Sequence, residues 1–158
     1  MKMKFNGLLL AFLLCIGVSC TEESQEQSVY EVNQNAVQVE DALLQVVNEH
    51  RTSLGFNALE FSSVAYEYAN AHNDYMIAKG DLSHDHFSSR ASNIASETNA
   101  EYVSENVAKD YSSAQEAFEG WLNSPNHRKT MEGEFTHTAV SVKVDDAGNY
   151  FYTQLFYR

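Results

Sequence analysis

The stretch from Thr136 to Tyr157 constrains the fold more than any other part of the chain. Thr136, Thr138, Val140, Val142 and Val144 alternate, Asp145-Asp146-Ala147-Gly148 has the chemistry of a turn, and Tyr150 to Tyr157 is aromatic and β-prone. An alternation of period two puts one face of each strand against a core, so the segment reads as an antiparallel pair. The residues ahead of it follow a different period. Val39, Leu43, Val46, Val47, His50 and Leu54 recur at steps of three and four, which predicts an amphipathic helix from about Val37 to Leu54 stopped by Gly55. A second helix is expected after a cap at Ser62 or Ser63. It buries Ala65, Tyr68, Ala69, His72 and Met76 and ends at Gly80. Asp81 to Arg90 reads as a loop, Ser88 to Ser96 as a short helix, and Ala100 to Val107 as either strand or loop. Ser113-Ala114-Gln115-Glu116 has the form of a capping box, so a further helix should run to about Asn123 with Ala114, Ala117, Phe118 and Trp121 inward. Helices first and an antiparallel pair last indicate an α+β or a layered α-β-α domain.

The 158 residues are enough for one such domain and too few for two. All 22 acidic residues but only 8 of the 10 basic ones lie beyond residue 19. That balance argues against nucleic acid as a partner, because phosphate contacts need clustered Lys and Arg. It also disfavours attraction to anionic lipid by bulk charge. At the N-terminus Lys2 and Lys4 precede an apolar run from Leu8 to Ile16, too short to span a bilayer, and Gly17-Val18-Ser19-Cys20 follows. Residues 1–19 therefore read as a signal peptide. Cys20 resembles the acylated cysteine of bacterial lipoproteins, although Gly17 stands where Leu is usual; plain cleavage with a free Cys20 is the alternative. Residues 20–35 read as an acidic, disordered tether, and 36–158 as the folded domain. With the signal peptide removed and Cys20 lipidated, the domain is expected to have no disulfides. The membrane, reached through the lipid anchor, is then a partner, and the location is extracytoplasmic, in the periplasm or on the cell surface.

Three polar spots fall at boundaries between elements, where sites are usually built: Ser83-His84-Asp85-His86, Ser104-Glu105-Asn106 and Ser124-Pro125-Asn126-His127-Arg128. Ser124 and Pro125 suit the N-cap and first position of a short helix, which puts His127 in its first turn. The positive helix end disfavours imidazolium, so His127 is expected to be neutral near pH 7. Glu105 is flanked by apolar residues and must be paired or hydrogen-bonded, with a histidine as a natural partner. Two imidazoles and one carboxylate suit a zinc ion with a position open to water. Alternatively Glu105 beside a histidine is a general base, or His84 and His127 only tie loops together through Glu105. There is no His-Glu-x-x-His, cysteine pair or Gly-x-Ser-x-Gly. A Ser124-His127 hydrolase is disfavoured because an N-cap oxygen is committed to backbone N–H groups. His72 reads as a core residue, and nothing in their context singles out His50 or His137.

Val47-Asn48-Glu49-His50-Arg51, Leu54-Gly55, Leu59, Ala69, His72, Met76, Ser83-His84, Glu105-Asn106 and Trp121-Leu122-Asn123-Ser124-Pro125-Asn126-His127-Arg128 together resemble the bacterial branch of the CAP superfamily, also called the SCP domain. The resemblance covers about Ala36 to Arg158. It implies an α-β-α sandwich with a surface cleft of two His and two Glu that binds divalent cations in some members. By motif, His84 and His127 match the two histidines and Glu105 the glutamate of the Gly-Glu-Asn segment. The second glutamate's place is held by Ser124, and Ser104 replaces the motif glycine, so a metal would need His86 or Asp85 as substitute. Asn106 and Ser124 are the further cleft residues. Three functions follow from the resemblance and the residues. The first is non-enzymatic binding of a small molecule, lipid or envelope component. The second is a metal-assisted hydrolase with His84 and His127 on zinc and Glu105 as base. The third is a surface adhesion or signalling module.

Overall fold

A computed structural model describes residues 34–158. The expected signal peptide, Cys20 with its expected lipidation, and all but the last two residues of the expected tether lie outside them. Five helices and four strands follow in the order α1 (Val37–Ser53), β1 (Glu60–Phe61), α2 (Ser63–Lys79), α3 (Phe87–Thr98), β2 (Val103–Lys109), α4 (Ala114–Asn123), α5 (Pro125–Met131), β3 (His137–Val144) and β4 (Tyr150–Tyr157). The strands form one sheet in the order β1-β3-β4-β2. The antiparallel pair is present, with His137 opposite Tyr157 and Val144 opposite Tyr150. Its turn closes on Asp145, whose carboxylate accepts from the Ala147 and Asn149 N–H groups, while Gly148 takes the positive φ of 86°.

The helices lie on both faces of the sheet. Leu43 and Val47 of α1 and Ala117, Phe118 and Trp121 of α4 pack on Val140, Val142, Tyr152 and Phe156. On the other face Ala65 and Ala69 of α2 and Ile94 of α3 pack on Ala139 and Leu155, and Met76 packs on Val107 and Phe151. Burying each of the larger of these side chains contributes roughly 1.5–3 kcal/mol. The architecture is therefore the expected α+β sandwich, and the described residues contain no cysteine, so no disulfide supports it.

Several local expectations are refined. Leu54 falls outside α1 and is 52% exposed, because the chain has already left the helical stripe. Ser62 caps α2 by accepting from the Ala65 N–H, and Gly80 ends that helix with φ 75°. The ambiguous segment is a strand, β2, which runs on to Lys109. The loop after α2 is shorter than expected, because α3 begins at Phe87. Ser113 caps α4 as the box requires, but the Glu116 carboxylate accepts from Ser112 rather than from the cap residue. The two-residue β1, parallel to β3, is too short to alternate and left no periodic signal. Asn35, at the end of the expected tether, is part of the fold: it bridges to Lys143, and its side chain bonds Glu40, Tyr66 and Asn70.

Candidate functional site

β2 is an edge strand, and its period of two sends Val103, Glu105 and Val107 to the α2–α3 face and Ser104, Asn106 and Ala108 to the α4–α5 face. Glu105 is 1% exposed in its side chain, so its charge has to be met by protein groups. Arg90 of α3 meets both of its oxygens with one edge of the guanidinium. Its Nε donates to Oε2 at 2.9 Å and its Nη2 donates to Oε1 at 2.9 Å, with Nη2 also 2.7 Å from Oε2. The Nδ1 of His84 lies 2.9 Å from Oε1, and this imidazole, 54% exposed, is the outer wall of the carboxylate's site.

The remaining Arg90 nitrogen, Nη1, donates to the Asp85 carbonyl at 2.7 Å. His72 is buried as expected. It lies 3.8 Å from Glu105 but hydrogen-bonds the Ser83 carbonyl at 2.8 Å, and burial depresses its pKa. Arg90 and His72 thus fix the loop that carries His84. Glu105 was expected to find a histidine and does, but its principal partner is an arginine that the sequence reading passed over. A signal was present: Phe87, Arg90 and Ile94 share the inward stripe of α3, and a cation on such a stripe needs a buried anion.

On the other face Asn106 donates from Nδ2 to the His127 carbonyl at 3.0 Å, which sets the first turn of α5 beside the β2 edge. The His127 ring is half-buried and its pKa is lowered, first by desolvation and then by the charge of His84. The lowered value favours the neutral imidazole expected here, with burial as its first cause. Ser124 and Pro125 do occupy the N-cap and first position of α5, yet the Ser124 hydroxyl makes no capping bond. The expectation that its oxygen is committed to the backbone is corrected. Among the described residues no hydrogen bond joins Ser124 to His127 either, so the pair is not assembled as nucleophile and base. The two residues line a cavity of about 220 Å³ whose other walls include Leu82, Val107, Lys109 and Trp121.

The zinc set expected from His84, His127 and Glu105 does not fit this arrangement. Both Glu105 oxygens are occupied by Arg90, and one His84 nitrogen is spent on the same carboxylate. His86 stands edge-on to Tyr75 at 5.4 Å. Asp85 accepts from Lys79 at 2.6 Å and from Tyr75 at 2.7 Å, which brings its pKa down to about 2. Neither substitute completes the set, and among the described residues no three His, Cys, Asp or Glu side chains are grouped to hold a metal ion.

Among solved structures, the fold is similar to an outer surface protein of Borrelia burgdorferi, with TM-score 0.71 and 16% identity over 80% of this chain and 98% of that one. It is also similar to an extracellular protein containing an SCP domain from Bacillus anthracis, with TM-score 0.65 and 26% identity over 77% of this chain and 41% of that one. A cysteine-rich secretory protein of Staphylococcus aureus gives TM-score 0.62 and 22% identity over 80% and 40%. In sequence, the chain is 30% identical over 123 residues to the uncharacterized membrane protein YlbC of Bacillus subtilis; the match takes in 74% of this chain but only about a third, 34%, of that relative. Residues 44–156, most of the chain, match the CAP family of cysteine-rich secretory proteins. With the sandwich, the Glu105 cluster and this match in place, the chain belongs to the CAP family.

Proposed function

We propose that this chain is a non-enzymatic binding domain of the bacterial envelope, held outside the cytoplasm by lipid on Cys20. Residues 1–20 support the location, as do relatives described as a membrane protein, an extracellular protein and an outer surface protein. The observation that carries the binding role is the closure of Glu105 by Arg90 and His84. A carboxylate held by a guanidinium on both oxygens is a poor general base, so the site is built for rigidity rather than proton transfer.

The ligand is a small envelope component that sets an apolar part against Leu82 and Trp121 and a hydroxyl or amide against neutral His127 and Ser124. The test is a binding screen of the chain against membrane lipids and cell-wall glycans, followed by His127→Ala and Ser124→Ala. Binding weakened about tenfold or more by His127→Ala supports the role. Binding untouched by both variants moves the ligand away from this cavity, and no binding in either panel rejects the proposal.

A further inference from the structure

Beyond residue 19 the chain carries eight cationic side chains, and the fold disposes of five of them. Lys79, Arg90, Lys109 and Lys143 lie beside Asp85, Glu105, Asp110 and Asp74, and Arg51 is buried on backbone carbonyls. Arg128, Lys129 and Arg158 have no acidic partner among the described residues. Two of these three, Lys129 from α5 and Arg158 from the end of β4, line one cavity of about 430 Å³, well within the size range of small-molecule sites. Lys129 and Arg158 make no ion pair among the described residues, so at this concavity they outnumber the single carboxylate of Glu134 and can hold an anion.

The other walls add a second requirement. Tyr102, 55% exposed, is stacked on Phe135 at 5.8 Å and 19°, which offers an aromatic surface to a further ring. Ser104 and Thr130 add hydroxyls, and Glu134 is the one acidic side chain on the wall. The Arg158 main-chain oxygen is already engaged by the Glu101 and Tyr102 N–H groups. This cavity shares no lining residue with the one beside His127.

We propose that it is a second binding site, which takes a small anion bearing an aromatic ring, such as an aryl carboxylate or an aryl phosphate. Lys129 and Arg158 hold the anion while the ring lies against Tyr102. Because the attraction is between partly exposed charges, it weakens as salt rises.

The test is calorimetric titration of the full chain in detergent, with nothing added after Arg158, using benzoate and phenyl phosphate as probes, benzyl alcohol as the neutral ring and inorganic phosphate as the bare anion. At least one aryl anion should bind more tightly than both controls, and which one does distinguishes carboxylate from phosphate. Lys129→Glu and Tyr102→Ala, both changes of surface side chains, should each weaken it about tenfold, while Lys79→Ala leaves it unchanged. Binding of both aryl anions no tighter than of the controls, affinity unaltered in Lys129→Glu, or no heat with either aryl anion at about 10 mM would each overturn the proposal.

Discussion

The guanidinium of Arg90 lies against the carboxylate of Glu105 with both oxygens in contact, and the two side chains are 9% and 1% exposed. The pair joins a helix to an edge strand, and it orients His84 as well, because that imidazole bonds the same carboxylate. Removing one partner strands a buried charge. Arg90→Met should therefore lower unfolding free energy by about 3–5 kcal/mol, whereas Arg90→Met combined with Glu105→Leu should cost clearly less than the sum of the two single changes. Urea denaturation of the four proteins of this cycle measures the coupling. Additive losses would mean that the pair is not energetically joined.

Acid should destabilise the fold before the carboxylates titrate. His72 and His127 both have folded-state pKa values lowered from 6.5, chiefly by desolvation. The unfolded chain then binds protons more readily than the folded one, so this stability is complete above 6.5 and is lost as pH falls through the folded values. Melting temperature should decline between pH 7 and about 5, and His72→Gln should flatten that slope. A profile equally steep in His72→Gln would remove that histidine as the cause.

Arg51 has no carboxylate partner among the described residues although it is completely buried. Its guanidinium donates to the carbonyls of Asn57, Met131 and Gly133, at 3.0, 2.6 and 2.8 Å, and so ties α1 to the segment between α5 and β3. Arg51→Met keeps the bulk but leaves these acceptors without donors, and should cost about 3 kcal/mol or more in denaturant unfolding. A loss below about 1 kcal/mol would mean that water replaces the guanidinium there.

Zinc titrated into the chain without a histidine tag should give no one-to-one binding tighter than about 10 μM, because Arg90 and His84 use both oxygens of Glu105. Tight binding abolished by His84→Ala would show instead that Arg90 yields its place to a metal.

Gly120 lies against Tyr111, and a Cβ there would overlap the phenol hydroxyl. Gly120→Ala should displace the Tyr111 ring at the wall of the His127 cavity and cost about 1–3 kcal/mol. Denaturant unfolding together with the Tyr111 ring resonances in an NMR spectrum would register both effects, and unchanged resonances would show that the backbone moves instead.

The layers of this domain were legible along the chain because burial repeats with the geometry of each element. Leu43 and Val47, Ala65 and Ala69, and Val140 and Val142 sit where periods of 3.6 and 2 put them, and Ser62, Gly80 and Ser113 mark helix ends through their own short-range chemistry. The link between Glu105 and a histidine was legible too, because a carboxylate flanked by apolar residues needs a partner.

Other features depended on residues far apart in sequence. That Arg90 rather than a metal answers Glu105, that the Ser124 hydroxyl leaves its helix uncapped, and that Lys129 and Arg158 meet at one cavity are outcomes of packing. A side chain's polarity shows that it needs a partner, but which partner it meets is decided by the distances that only the folded sheet and its two helical layers impose.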